Sequence, residues 1–152
     1  MKKLCFAAST GGHFEQLMML KPLMRKYDSI IITEKSHYSV ENNEIKTYYL
    51  SQVNRKERIF LFRMIVNSLK TIKILIIENP DIIISTGALS TFPVCLLGKL
   101  LRKKIIFIES FAKINSPTLT GKLVYKFADQ FYVQWEEMKQ VYPNAIYKGG
   151  IY

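Results

Sequence analysis

The stretch FAASTGGHFEQL, residues 6–17, passes from an apolar run to a helical pattern, and two adjacent glycines mark the change. The same alternation of short apolar runs and helical patterns continues along the chain. Three of the apolar runs are rich in isoleucine: SIIIT (29–33), DIIIS (81–85) and KIIFIE (104–109). Continuous apolar strands are typical of a parallel sheet that is buried on both faces. The sequence therefore predicts an α/β fold, a Rossmann-like parallel sheet with helices on both faces.

Seven strands and five helices are predicted from this periodicity. The strands are residues 4–8, 29–33, 46–50, 81–85, 104–109, 130–134 and 145–147. The helices are residues 13–26, 56–78, 90–102, 117–127 and 136–141. Because no repeat, linker or low-complexity segment interrupts the alternation, we predict one domain over residues 1–152.

Composition limits the kind of protein. Of the 152 residues 49% are apolar, which makes intrinsic disorder improbable. The 22 basic and 12 acidic residues give a net charge of +10. This excess favours an anionic partner, namely a nucleic acid, an acidic membrane or a phosphorylated substrate, although a basic surface without a target is the alternative. The two cysteines have no metal or redox spacing, and the opening apolar run is too short for a signal peptide, so we predict a cytoplasmic protein.

Ligands of parallel α/β sheets bind where strands end and helices begin, so candidate binding residues are expected in those turns. In the turn at residues 9–13, Gly11 and Gly12 permit a ligand to approach the main chain, and the helix start suits phosphate. His13 offers a hydrogen bond, a positive charge or a general base. The pattern is neither a dinucleotide fingerprint nor a P-loop. The alternative is a structural turn in which His13 only caps the helix.

Two later turns share this position. STGALSTFP (85–93) again places a glycine after a buried strand and before a helix, and simple Ser/Thr capping is its alternative role. In FIESFAKINSPTLTGK (107–122), Glu109 follows a buried strand. A carboxylate there is able to accept a hydroxyl hydrogen bond or act as a base, and a salt bridge or a cap is the alternative.

The predicted helix at 56–78 is unusually apolar. Thirteen of the 19 residues from 59 to 77 are apolar, yet Arg63, Lys70 and Lys73 lie among them. Each of these would cost about 2.5–3.5 kcal/mol near a bilayer centre, which argues against a transmembrane span. Apolar residues on both sides of the helix call for a second burial partner. The predicted partner is an anionic membrane surface, which these basic residues contact together with Phe60 and Phe62. The alternatives are another protein or the protein's own core.

Four blocks together resemble one family. STGGH (9–13), PDIIISTG (80–87), IFIESFAKINSPTLTGKL (106–123) and YVQWEEM (132–138) are similar to the Alg14-like glycosyltransferase subunits, which include the bacterial PssD and CpsF type proteins of exopolysaccharide and capsule synthesis. The first block alone also suits the wider group of MurG. The resemblance covers essentially the whole chain. It implies the acceptor-side, N-terminal half of a GT-B glycosyltransferase.

The resemblance also implies partners. A separate Alg13-like chain would bind most of the UDP-sugar, and the two would transfer a sugar to a polyprenyl-diphosphate-linked saccharide. No cofactor or metal is expected. The chain would be peripheral at the cytoplasmic face of the plasma membrane, without a signal peptide or a transmembrane span, and helix 56–78 would supply its membrane contact.

The same resemblance assigns roles to residues. His13 and Glu109 are the catalytic candidates, and either one, or a residue of the partner, would be the general base. The predicted acceptor-binding residues lie in the three turns: Ser9, Thr10, Gly11, Gly12, Thr86, Gly87, Ser90, Thr120 and Gly121. Two other functions remain open on the residues alone. One is a self-sufficient α/β enzyme acting on a small phosphorylated or nucleotide ligand. The other is nucleic-acid binding, which is disfavoured because no recognised motif is present.

Overall fold

A seven-stranded sheet organises the protein. The computed structural model describes residues 2–35, 44–54 and 56–152. Its strands are β1 (Lys3–Ala8), β2 (Asp28–Glu34), β3 (Lys46–Leu50), β4 (Ile82–Gly87), β5 (Lys104–Ile108), β6 (Gln130–Val133) and β7 (Ile146–Tyr147). They lie in the order β3-β2-β1-β4-β5-β6-β7, and every pair of neighbours is parallel. The predicted Rossmann-like parallel sheet is confirmed.

The connections are mostly helical. The helices are α1 (Gly12–Met18), α2 (Lys21–Lys26), α3 (Phe60–Glu78), α4 (Phe92–Leu100) and α5 (Leu119–Val124), with 3₁₀ turns at Leu89–Thr91 and Glu136–Gln140. The prediction of one helix over 13–26 is wrong, because Pro22 lacks an N–H and begins a new helix instead of continuing α1. The predicted helix at 136–141 is the second 3₁₀ turn.

Helices cover both faces of the sheet. Alternate residues of β1 show the division: Cys5 and Ala7 belong to one core cluster, while Phe6 and Ala8 belong to the other. Residues of α3, α4 and α5 complete the first cluster, and residues of α1 and α2 complete the second. Full burial of one large aliphatic side chain contributes about 1.5–3 kcal/mol, so the isoleucine-rich strands account for much of the core.

Helix α3 buries its more polar side. Asn67, Thr71 and Glu78 face the sheet and are nearly inaccessible. The Asn67 side chain accepts a hydrogen bond from Ser51 N at 3.0 Å and donates one to Ser51 O at 2.8 Å. The opposite side, called here the outer face of α3, consists of Phe62, Ile65, Leu69 and Ile76, each at least 60% exposed. Polar contacts therefore orient this helix, and its apolar stripe is left on the surface.

Glu78 anchors the C-terminal end of α3 at the amino edge of the sheet. Its buried carboxylate accepts hydrogen bonds from Lys3 Nζ and Lys46 Nζ, each at 2.5 Å, and from the Tyr48 hydroxyl. The hydrogen bond from Lys3, with those from Lys46 and Tyr48, lowers the pKa of Glu78 to about 2. One carboxylate thus joins β1 and β3 to α3.

We expect this cluster to make stability depend on acid pH. A carboxylate whose pKa is lowered on folding stabilises the protein above its unfolded pKa and loses that effect as pH falls through the folded value. For Glu78 the loss should run from about pH 5 to pH 2 and amount to about 3 kcal/mol. Urea unfolding of wild type and Glu78→Gln between pH 7 and 3 measures it. The difference between the two proteins should shrink with acidification, and a constant difference would contradict the assignment.

Candidate functional site

The sheet has its switch point between β1 and β4. These strands are neighbours, but the chain continues from β1 towards β2 on one side and from β4 towards β5 on the other. Connections that diverge in this way leave a crevice at the carboxyl ends of the two strands, where α/β proteins bind ligands. The first two predicted turns, at residues 9–13 and 85–93, meet at this crevice.

His13 and Thr86 join the two turns by reciprocal hydrogen bonds. His13 Nδ1 lies 2.7 Å from the carbonyl oxygen of Thr86, and the Thr86 hydroxyl donates to the carbonyl oxygen of His13, also at 2.7 Å. Because a carbonyl oxygen only accepts, Nδ1 must carry the proton. Nε2 of the neutral ring is then the nitrogen with the lone pair, which is the form that a general base requires.

Glycines shape both turns. Gly11 has φ 75° and Gly87 has φ 99°, so each adopts a conformation that other residues rarely accept. A Cβ on Gly87 would lie 3.2 Å from the His13 ring, whereas one on Gly11 or Gly12 would meet nothing within 4 Å in the described part of the chain, near neighbours along the chain aside. Gly87 is therefore needed for packing, and the Gly11–Gly12 turn borders open space. A hydrogen bond of 3.0 Å from Ser9 N to Gly87 O ties the turns together.

The remaining predicted residues of these turns lie around the same crevice. Ser9 and Thr86 are buried, and Thr10 is half-buried beside the exposed glycines. Ser90, in the 3₁₀ turn after β4, is 3% exposed, and its hydroxyl has no hydrogen-bond partner among the residues that the structure describes. The fold thus brings residues 9–13 next to Thr86 and Gly87, which are distant from them along the chain.

Glu109 occupies a different kind of place. It follows β5 and is 1% exposed. Its Oε1 accepts from Ser110 N at 2.8 Å and from the Thr118 hydroxyl at 2.9 Å. Its Oε2 accepts from Thr118 N at 3.2 Å and from the Tyr142 hydroxyl at 2.7 Å. Burial and the bond to Glu109 raise the pKa of Tyr142, which keeps this hydroxyl protonated as a donor. Three of these bonds hold the segment between β5 and α5, and the fourth ties Glu109 to Tyr142, which follows the second 3₁₀ turn.

Gly121 belongs to this Glu109 cluster, and Thr120 precedes it in α5. Both are buried, and a Cβ on Gly121 would lie 2.0 Å from Glu109 Oε2 and 2.6 Å from the Tyr142 hydroxyl. Thr118, which the sequence analysis did not single out, caps α5 by accepting a hydrogen bond from Gly121 N at 2.8 Å. The predicted helix over 117–127 placed Thr118 inside the helix, whereas the structure begins α5 at Leu119 with Thr118 as its N-cap.

Gln16 and Gln134 were also missed by sequence analysis. Both are 4% exposed, and Gln134 Nε2 donates to Gln16 Oε1 at 3.0 Å. Gln134 Nε2 also donates to the carbonyl oxygen of Glu109 at 2.9 Å. These side chains connect α1 with the ends of β5 and β6. A polar residue within a buried strand pattern, as at Gln134, was the available signal.

The residues predicted to contact a membrane lie on or beside α3. Phe62, Lys70 and Lys73 are exposed, whereas Phe60 is half-buried. Arg63 forms an ion pair of 2.8 Å with Glu57 and donates to Gln52 O at 3.1 Å, so its charge is partly engaged within the domain.

No helix in the described residues combines the length and hydropathy needed to cross a bilayer. Nor do those residues contain three His, Cys, Asp or Glu side chains grouped so as to hold a metal ion.

Comparisons with known proteins bear on this geometry. The sequence model of the family described as "Oligosaccharide biosynthesis protein Alg14 like" matches residues 5–151. A protein of Yarrowia lipolytica named "UDP-N-acetylglucosamine transferase subunit ALG14" is 27% identical over 172 residues, which cover 97% of this chain and 80% of that protein. The protein of the same name from Rattus norvegicus is 26% identical over 177 residues, covering 97% of this chain and 82% of its own length.

The fold has solved counterparts. The crystal structure of Acinetobacter baumannii MurG superimposes with a TM-score of 0.76 at 15% sequence identity, covering 90% of this chain and 43% of that one. At this identity the likeness concerns the fold. The chain spans less than half the length of that structure, and the matching region is a Rossmann-like domain of the GT-B type.

Proposed function

Since this chain belongs to the family of Alg14-like oligosaccharide biosynthesis proteins, we propose that it is the acceptor-binding, non-autonomous subunit of a UDP-sugar-dependent glycosyltransferase. The observation that carries the proposal is the family match over nearly the whole chain, combined with an open glycine turn beside an oriented histidine. The acceptor is a polyprenyl-diphosphate-linked saccharide. From the resemblance to PssD and CpsF type proteins, the reaction belongs to capsule or exopolysaccharide synthesis.

The Gly11–Gly12 turn is the proposed contact for the acceptor diphosphate. Apart from near neighbours along the chain, no atom of the described residues lies within 4 Å of the Cβ positions of these two glycines, so a ligand is able to approach the backbone closely. Thr10 is half-buried beside this turn and is the proposed side-chain contact. Thr86 and Ser90 are buried, and the Thr86 hydroxyl donates to His13 O, so these two residues support the turn from within the fold. Gly121, with Thr120 before it in α5, contributes through the Glu109 cluster, which shapes the adjoining segment.

Of the two catalytic candidates, His13 is the proposed general base. An inverting transfer needs one group to take the proton of the acceptor hydroxyl as the nucleotide diphosphate leaves. The hydrogen bond from Nδ1 to Thr86 O leaves the Nε2 lone pair for this task. Both oxygens of Glu109, in contrast, already accept two hydrogen bonds each. We therefore propose a positioning role for Glu109.

An Alg13-like chain is the proposed partner, and it binds most of the UDP-sugar. The word "subunit" in the names of the relatives supports a partner, and the same names make UDP-N-acetylglucosamine the first donor to test. Nucleic acid has no part in this proposal. A self-sufficient enzyme acting on a small phosphorylated ligand is the alternative, because the open glycine turn suits such a ligand equally well.

A transfer assay tests the proposal. Radiolabelled UDP-sugars are supplied to membranes that contain lipid-linked acceptor, together with this chain, with an Alg13-like partner, or with both. We expect transfer only when both chains are present, and heat-denatured subunit serves as the control. Full turnover by this chain without a partner would overturn the proposal and favour the self-sufficient enzyme.

The outer face of α3 is the proposed membrane contact, at the cytoplasmic face of the plasma membrane. Its four apolar side chains are exposed, and Lys70 and Lys73 flank them. Apolar side chains enter the lipid interface while lysines reach anionic headgroups. The engaged charge of Arg63 makes it the weakest contributor of the predicted basic residues.

We expect the purified chain to bind phosphatidylglycerol vesicles more tightly than phosphatidylcholine vesicles. The double variant Phe62→Ser/Leu69→Ser should bind at least about tenfold more weakly, because the transfer of each of these side chains from water to an apolar phase is favourable by more than about 1 kcal/mol. Lys70→Gln and Lys73→Gln should each lose about fivefold, on anionic vesicles only. Flotation measures both effects. Met19, exposed beyond the end of α1 on the other face of the sheet, provides the control Met19→Ser. Equal binding by all variants would contradict the assignment.

A further inference from the structure

Helix α1 carries His13 and packs on the sheet through Leu17, which is fully buried. It contains seven residues, and among the residues that the structure describes no side chain caps its first turn at Gly11. The His13–Thr86 hydrogen bonds attach its beginning to β4. A second polar attachment lies three residues further on, at Gln16, close to the same side of the helix. Apolar packing holds α1 against the sheet, and these two polar attachments help to set the direction of the His13 ring.

The hydrogen bonds of Gln16 determine which way its amide points. Phe111 N–H donates to Gln16 at 3.3 Å, so the atom that receives it is the carbonyl oxygen Oε1. Gln134 Nε2 donates to the same oxygen at 3.0 Å. Only Oε1 of Gln16 therefore takes part in these contacts.

Gln134 is oriented by backbone groups in the same way. Its Nε2 donates to the carbonyl oxygen of Glu109 at 2.9 Å, and its Oε1 accepts from Ile151 N at 3.0 Å. Both glutamines are 4% exposed, so water does not readily replace a lost partner. The two side chains bridge α1 to the segments that follow β5 and β6.

We propose that Gln16 and Gln134 are positioning residues, which hold α1 so that the His13 imidazole faces the crevice between β1 and β4. The proposal rests on the proposed role of His13 as general base. A displacement of about 1 Å at a catalytic group is able to lower a rate about 10²-fold. The glutamine pair thus acts on transfer through His13 and makes no contact of its own with the reacting atoms.

The Gln16→Leu and Gln16→Glu variants form a matched pair. Leucine removes the bridge, whereas glutamate retains an oxygen that accepts from Phe111 N and Gln134 Nε2. In the two-chain transfer assay we expect Gln16→Leu to lower kcat about 10–100-fold with a smaller change in KM. Gln16→Glu should recover most of the rate. Gln134→Leu should resemble Gln16→Leu, and combining the two should add little, because they remove one shared bridge. A Gln16→Glu variant as impaired as Gln16→Leu would overturn the proposal.

A second readout needs neither substrate nor partner. Nitrogen-15 NMR of the isolated chain reports which ring nitrogen of His13 carries the proton, with His13→Gln used to assign the signals. Wild type should show the Nδ1–H form, and Gln16→Leu should show the mixture of forms that an unrestrained imidazole gives. An unchanged ring signal in Gln16→Leu would overturn the proposal. If the wild-type chain and its partner transferred no sugar, the proposed function would be contradicted. The positioning of the His13 ring by Gln16 would still be tested, because the NMR measurement does not depend on transfer.

Discussion

Replacing His13 by alanine is expected to lower sugar transfer by the assembled complex about 10²–10⁴-fold, the range that a general base contributes. The reason is geometric. The bond from Nδ1 to Thr86 O selects the ring form whose Nε2 carries the lone pair, and the ring lies beside the open Gly11–Gly12 turn. Alanine removes the base and also one of the attachments of α1. Initial rates with saturating donor and acceptor measure the loss.

The design of this experiment separates catalysis from folding. Glu15→Gln changes an exposed residue of the same helix and should retain wild-type turnover. His13→Ala should keep the circular dichroism spectrum and the binding to the partner chain. Near-normal turnover of His13→Ala would remove the residue from the mechanism.

Replacing Glu109 by alanine is expected to act on stability, with a loss of about 3–5 kcal/mol in the free energy of unfolding. Four donors from Ser110, Thr118 and Tyr142 point at this buried carboxylate. Its removal leaves buried donors unpaired, and each one costs about 1–3 kcal/mol. The segment between β5 and α5 should loosen first, since the carboxylate holds its two ends together. Urea unfolding of the isolated chain measures the effect.

Two further variants sharpen the interpretation of Glu109. Glu109→Gln retains one acceptor oxygen and should lose less stability than Glu109→Ala. Glu136→Ala removes an exposed carboxylate and should remain within about 0.5 kcal/mol of wild type. The proposed positioning role would be contradicted if Glu109→Ala had wild-type stability and assembled with its partner but did not transfer sugar. That result would make Glu109 a catalytic residue.

Local patterns were sufficient for the sheet and for the positions of the first two turns. Isoleucine-rich runs predict buried strands because a strand covered on both faces has no polar side, and all seven strands occur where they were predicted. Glycines at strand ends predict the turns, since parallel strands bring their carboxyl ends to one edge. The reciprocal bonding of His13 and Thr86 was beyond such patterns, because it joins residues 73 positions apart.

Sequence patterns were a poorer guide to the roles of buried polar side chains whose hydrogen-bond partners lie far away along the chain. Glu109 at the end of a strand has the same sequence signature whether it faces a ligand or four internal donors. Gln16 lies in a helical pattern and Gln134 at the end of a strand pattern, and neither pattern shows that the two side chains meet. The break of the predicted helix 13–26 was readable from Pro22, whose missing N–H favours a new helix start.

The order of residues thus established the element types, the glycine turns at the strand ends and the excess of apolar residues on α3, because each depends on near neighbours along the chain. The face that α3 turns to the sheet was decided by contacts across the fold. A helical wheel favours burial of the apolar stripe, yet Asn67 pairs with Ser51, and Glu78 pairs with Lys3 and Lys46. Buried polar groups must find partners, and those partners lie on other elements of the tertiary structure.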